Sequence, residues 1–263
     1  MEALATDILI IFKRESVNGW EFLFRWAHVV VGIAWIGLLY YFNFVQTPAF
    51  AELDAGARNQ ATDKLASRAL WWLRWAAVAT LVFGLLILLA QKDGGGGSLL
   101  FSGDYWKTYA GISIAAGILL GLTMFANVWL VIWPNQKKVI ANARNVLAGG
   151  DADPAAAAAG RRALMASRQN AIFSFTMLFF MVGTSHFFGQ WAIPEASGSD
   201  RAIFWAVTII LWLVLELNAL GVLGGTAPGG PRVIYDTHKA AIITGLVLVV
   251  VWYVIWIVAF GTP

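Results

Sequence analysis

Six long apolar segments, nearly free of charge, follow one another along the chain, and that repetition leaves few folds open. A stretch that crosses a bilayer needs about 20 predominantly apolar residues. Segments meeting that length fall at residues 22–46, 70–90, 106–133, 169–192, 202–224 and 238–260. The expectation is an all-α, polytopic membrane helix bundle forming a single domain. Only three histidines are set among these segments. Ionisable side chains at membrane depth are costly and tend to mark function, so the histidines are the first place to look for chemistry.

The rest of the composition agrees. A chain that is 59% hydrophobic and 13% charged has no visible soluble domain. Its 14 Trp and 6 Tyr suit aromatic belts at the two membrane interfaces. The net charge of +3 is better explained by Lys and Arg at helix ends than by nucleic acid as a partner. Cysteine is absent, which excludes disulfides, thiolate metal sites, iron–sulfur clusters and covalent c-type haem. Residues Ala3 to Phe12 are too short and too broken by Asp7 for a cleavable signal, and read as a surface-lying lead-in. Gly94 to Ser98 reads as a flexible turn, and Pro134 and Pro194 as span ends. The hydrophilic connection 136–168, with its run of alanines, is expected to form helical pieces lying on the membrane surface.

Lys and Arg distribute 6 against 12 between the two sides, with the larger share on the side of 136–168. By the positive-inside tendency that side is cytoplasmic. Six spans then place both termini outside, periplasmic if the membrane is a bacterial inner membrane.

In this arrangement His28 lies about two turns into the first span from the outer face, and His186 about two turns before the fourth span emerges there. His238 opens the sixth span at the other face. Two His at one depth on two helices can supply both axial ligands of a b-type haem. Gly32 and Gly183 sit on the same helix faces as the two His, where a flat macrocycle needs gaps. Arg25, one turn from His28, suits a haem propionate. The same residues are compatible with a metal ion, or with plain hydrogen bonds across helix interfaces.

Glu216 is the one acidic residue clearly within a span, and Arg74 and His238 are its expected partners from the same side. A structural ion pair, a proton path and a second haem ligand are the three roles open to it. Asn43, Asn127 and Asn218 are expected to bond between helices. The Trp71–Trp75 and Trp252–Trp256 stretches read as interface anchors. No phosphate loop, nucleophile elbow or zinc-protease helix is present.

Four stretches carry a family resemblance. They are His28-Val-Val-Val-Gly-Ile-Ala-Trp-Ile-Gly-Leu-Leu-Tyr-Tyr-Phe-Asn43, Asn127-Val-Trp-Leu-Val-Ile-Trp-Pro-Asn135, and Ser167-Arg-Gln-Asn170 with Gly183-Thr-Ser-His-Phe187. Together they resemble the membrane domain of bacterial membrane-bound urate oxidases (urate hydroxylases), over about Trp20 to Phe260. The first element also resembles segments of protoporphyrinogen oxidase and copper-resistance membrane proteins. In the urate oxidase family an outward-facing cytochrome c domain typically follows, whereas this sequence has no Cys for such a site. The resemblance implies a membrane redox module, an oxidoreductase of urate oxidase type, passing electrons to a quinone or a partner cytochrome c. The rival expectation is a non-catalytic subunit of a larger respiratory or photosynthetic membrane complex.

Reporter fusions test the topology. A reporter at Pro263 should signal the outer side and one within 136–168 the inner side, and an outer signal from 136–168 would overturn the arrangement.

Overall fold

The computed structural model describes residues 19–93, 95–190 and 195–261, and among them the chain is helical apart from short connections. Six long helices follow in order: α1 (Gly19–Glu52), α2 (Ala55–Ala90), α3 (Tyr109–Leu147), α4 (Ala155–His186), α5 (Gly198–Ala219) and α6 (His238–Phe260). All except α4 are long and apolar enough to cross a membrane, which fits a multi-pass membrane protein. The expected lead-in at Ala3 to Phe12, with Lys13 and Arg14, lies outside the described residues, as does Pro194.

The exception explains the architecture. Helix α4 carries Gln169, Asn170, Ser174 and Thr176, all buried, and its apolar residues Ile172, Phe173 and Phe180 are buried as well. It runs through the middle of the molecule, against α3 on one side and α6 on the other. A helix shielded by other helices meets protein on most faces, so it can be polar where its neighbours cannot. Close approach is built in at Gly245 of α6, where a Cβ would stand 2.4 Å from the Phe175 ring. Ser113 of α3 donates to the Phe180 carbonyl (3.2 Å) and accepts from Thr184 (2.9 Å), and Trp212 of α5 donates to Thr123 of α3 (2.9 Å).

An aromatic cluster fills the end of the bundle where α4 finishes. Trp256 lies 4.2 Å, centroid to centroid, from Phe188, 5.4 Å from Phe204 and 4.7 Å from Phe260. Such pairs contribute about 0.5–1.5 kcal/mol each beyond area burial. Trp252 and Trp256 are thus core residues rather than the expected interface anchors. Trp71 and Trp72 do stay exposed, Trp72 at 62%.

The connection 136–168 differs from the surface-lying pieces expected. Residues 136–147 continue α3 and 155–168 begin α4, so the two helices extend together and turn at 148–154. Pro134 lies inside the continuous α3, not at a helix end. It lies one residue beyond a π-helical stretch, Asn127–Ile132, and Pro48 of α1 lies likewise beyond the π-helical Tyr41–Gln46. Proline lacks an N–H and crowds the carbonyl four residues back. A wider turn just before it relieves both problems. A third π stretch, Thr62–Ala66, lies in α2. The glycine-rich turn is tied down as well: the Asp93 carboxylate accepts from the N–H groups of Gly95 (3.1 Å) and Gly97 (2.7 Å).

The segment between α5 and α6 folds back through a short 3-10 helix, Gly230–Tyr235, and is pinned by one ion pair. Arg161 of α4 reaches Asp236 at 2.7 Å, and the Gly229 N–H donates to the same carboxylate at 2.8 Å. Burial alone would raise the Asp236 carboxyl. The Gly229 N–H and the Arg161 guanidinium outweigh it and hold the group below the ordinary carboxylate range. A carboxyl depressed on folding stabilises the fold above its unfolded pKa, and the gain disappears as pH falls through the folded value. Asp236→Asn should therefore lower Tm by roughly 2–4 °C at neutral pH. The gap from wild type should narrow once pH drops below about 4. A gap unchanged with pH would contradict this account.

Candidate functional site

Two places concentrate polar chemistry, one at each end of the bundle. The first holds the histidines. His28 of α1 faces α2: its Nδ1–H donates to the Thr80 carbonyl at 2.8 Å, and a Cβ at Gly84 would lie 3.1 Å from the ring. A carbonyl can only accept, so this bond fixes the tautomer and leaves Nε2 of the neutral ring bare. Metal-ligating His commonly uses its other nitrogen in this way, so the donor arrangement at His28 fits an axial ligand. His186 is the last residue of α4 and is exposed.

Residue counts from a common contact put the two His at similar distances along their helices. Tyr40 of α1 and Ser174 of α4 are joined by a 2.9 Å hydrogen bond. His28 is twelve residues from Tyr40 and His186 twelve residues from Ser174, toward the same end, or about 18 Å along each helix. The structure does not join them by any contact among the described residues.

Of their supposed companions, Gly183 and Arg25 are otherwise engaged. Gly32 packs toward Thr80, where a Cβ would meet the methyl at 3.9 Å. At Gly183 a Cβ would come within 2.7 Å of the Phe188 ring. The Phe188 ring thus fills the gap expected at Gly183, whereas Gly32 has only that ordinary van der Waals contact nearby. Arg25 is paired with Glu21 at 2.6 Å, one helical turn away. What does lie open is the α1 face around His28. No residue from Trp20 to Ala34 is buried, and the α1–α2 hairpin meets the other helices nearer its opposite end. There Asn43 donates to Ser167 (2.8 Å), Tyr40 stacks on Phe175 (5.7 Å), and the Trp75 and Trp129 rings touch (5.9 Å).

The second place surrounds Glu216, which is 8% exposed and does not face lipid. The expected partners are elsewhere. Arg74 donates to the Leu70 carbonyl and lies 3.4 Å over the Trp133 ring, a cation–π contact. His238 begins α6, and among the described residues it makes no hydrogen bond to Glu216 and Glu216 forms no ion pair. Its donor is Asn127. The two hydrogens of that amide serve Glu216 Oε2 (3.3 Å) and Asn170 Oδ1 (3.0 Å), and Asn170 donates on to the Met124 carbonyl (2.8 Å). Nearby, the Tyr235 hydroxyl donates to Gln169 Oε1 (2.7 Å), with the Leu215 carbonyl 3.0 Å away. Arg168 donates to the Tyr235 carbonyl, and Asn218 to that of Pro231 (2.9 Å). Burial pushes the Tyr235 hydroxyl far up, with the Glu216 charge adding to it.

The role of Asn127, Asn170 and Gln169 around Glu216 was beyond a reading based on charge alone. A neutral amide gives no charge signal, and Asn127 and Glu216 are far apart in sequence. Asn43 and Asn127 bond between helices as expected, whereas Asn218 bonds to the Pro231 carbonyl of the connection between α5 and α6.

The fold and these polar centres define a helical, multi-pass membrane module with buried polar groups at its core. Residues 105–214 match the family model described as urate oxidase N-terminal, and the resemblance to that family is borne out over this stretch. It covers α3, α4 and most of α5, including Asn127, Asn170 and His186. His28 lies outside it. No curated protein and no solved structure matches the chain.

Substituting Asn127→Leu should cost about 1–3 kcal/mol of stability, because a buried carboxylate loses its donor. In a Glu216→Gln background the cost should shrink, since a neutral amide is cheaper to leave unpaired. Equal costs in both backgrounds, read by thermal unfolding, would show that the two side chains do not interact.

Proposed function

We propose that this protein is a membrane redox module of the urate oxidase N-terminal type, and that His28 and His186 hold a b-type haem at the end of the bundle opposite the 136–168 connection. The observation that carries the reading is the pairing of a family match over 105–214 with two His at one level. The bare Nε2 of His28 and the unburied stretch of α1 around it support the same reading. Haem would supply one-electron chemistry, and the protein's part would be to fix the imidazole tautomer through Thr80 and to limit access of water. A quinone or a partner cytochrome c would exchange electrons with the module, and urate would be its substrate by family likeness. In this reading the membrane is the bacterial inner membrane and both termini are periplasmic.

A second reading rests on the same unburied stretch. Trp20, Phe22, Trp26 and Ile33 are exposed, which suits the lipid but also a neighbouring subunit of a larger assembly. Purification of a stable large complex without urate turnover would favour the subunit.

The test is a reduced-minus-oxidised absorption spectrum of purified protein. His28→Ala and His186→Ala should each remove or strongly alter the haem band with helix content unchanged. His238→Ala, at the other end, should leave it intact. A wild-type preparation from haem-replete cells without such a band would end the proposal.

A further inference from the structure

Helices α2 and α3 each turn a basic face into one pocket. On α3, Trp133, Lys137 and Arg144 are spaced by four and then seven residues, which aligns them along one side of the helix. On α2, Arg68, Trp71 and Arg74 follow at intervals of three. All six line an open pocket of about 550 Å³ between the two helices. Four of them are cations, and no lining residue is acidic.

The carboxylate beside the pocket is already committed. Asp63 pairs with Arg144 and, at 2.7 Å, with Lys64. Arg68, Arg74 and Lys137 have no carboxylate partner among the described residues. Arg74 is the informative one, because it is 9% exposed and lies one turn into the apolar run of α2. Its guanidinium sits 3.4 Å over the Trp133 ring, and the Lys137 ammonium lies 5.7 Å from the same ring. The face of an indole attracts a cation but carries no net charge, so two cations on one ring still lack an anion. A guanidinium stacked by its face keeps its N–H groups directed outward in its own plane. Nε of Arg74 uses the Leu70 carbonyl (3.1 Å). Its two terminal nitrogens meet no acceptor among the described residues, and they are not fully enclosed.

Charge selects an anion, and position selects its source. The pocket lies where the apolar run 70–90 begins and where α3 passes from Trp133 into the polar residues 135–138. That is the polar boundary of the membrane, and Trp71, Trp72 and Trp75 are exposed at it as interfacial Trp are. A phospholipid holds its phosphate at this level and its acyl chains on the apolar side. Basic pockets between helices on the cytoplasmic side, to which the Lys and Arg count assigns this end, suit anionic lipid head groups. We infer that this pocket binds the phosphate of an anionic phospholipid. The free N–H groups of Arg74 donate to the phosphate oxygens, and Arg68, Lys137 and Arg144 surround them with positive charge. A zwitterionic lipid would bring a further cation into a pocket that already has four, and is disfavoured. The inference does not depend on haem at the histidines, which lie at the other end.

The test uses the full chain, purified in a nonionic detergent and freed of lipid, with lipid retention read by native mass spectrometry. Dioleoyl phosphatidylglycerol should bind at least about tenfold tighter than dioleoyl phosphatidylcholine. Arg74→Gln should weaken phosphatidylglycerol about tenfold, and so should Arg68→Gln combined with Lys137→Gln, two exposed side chains. Lys138→Gln removes one charge from the neighbouring position on α3, outside the pocket, and should change nothing. Equal binding of the two lipids overturns the inference. So do pocket variants that lose no more than Lys138→Gln, which would reduce the basic faces to general surface charge. Displacement of phosphatidylglycerol by an equal concentration of inorganic phosphate would assign the pocket to a free anion and overturn the lipid. If Arg74→Gln fails to fold, the double variant still decides.

Discussion

Everything in this molecule depends on keeping one polar helix out of lipid. Helix α4 brings Gln169, Asn170, Ser174 and Thr176 into the interior, and each needs a neighbour where no water competes. The solution is to surround it. Asn127 and Ser113 of α3, Tyr40 and Asn43 of α1, and Tyr235 before α6 all bond to α4 or to its backbone. The apolar helices then present their own exposed faces outward, as the residues of α6 between Ile243 and Val258 do. Interior polarity and exterior apolarity are two sides of one arrangement.

That arrangement decides how much could be read beforehand. The helical class and the positions of the apolar helices followed from length and hydropathy, since these act over about 20 residues and need no partner. The helix ends were less legible. Runs such as 136–147 are polar enough to leave the bilayer but remain good helix formers, and nothing local stops α3 before Leu147. Pro134 was read as a stop because a sequence does not reveal that a π turn precedes it and removes the clash.

The candidate sites divide along the same line. The place of His28 and His186 along their own helices was legible, because distance along a helix is counted in residues. The direction of each ring was not: His28 turns to the Thr80 carbonyl of α2, a contact set by helix pairing. Glu216 was expected to seek a cation, and it found an amide instead. Arg74 was already taken by the Trp133 ring, where its charge is balanced by the face of an indole.

The π turn of α1 has a consequence for geometry above and below it. An α-helix advances 100° per residue, so one extra residue in a turn rotates everything on one side of it by that angle relative to the other. On the His28 side of Tyr41–Gln46, the helix addresses α2 through His28 and Thr80, and α4 through Tyr40 and Ser174. Within the π turn it addresses α4, through Asn43 and Ser167. The turn thus sets the angle between His28 and Tyr40 before it and Asn43 within it. Deleting a single residue there would not shorten α1 in any important way, but it would swing His28 away from Thr80 or Asn43 away from Ser167. The register of His28 against one neighbour and of Asn43 against the other is therefore tied to that one extra residue.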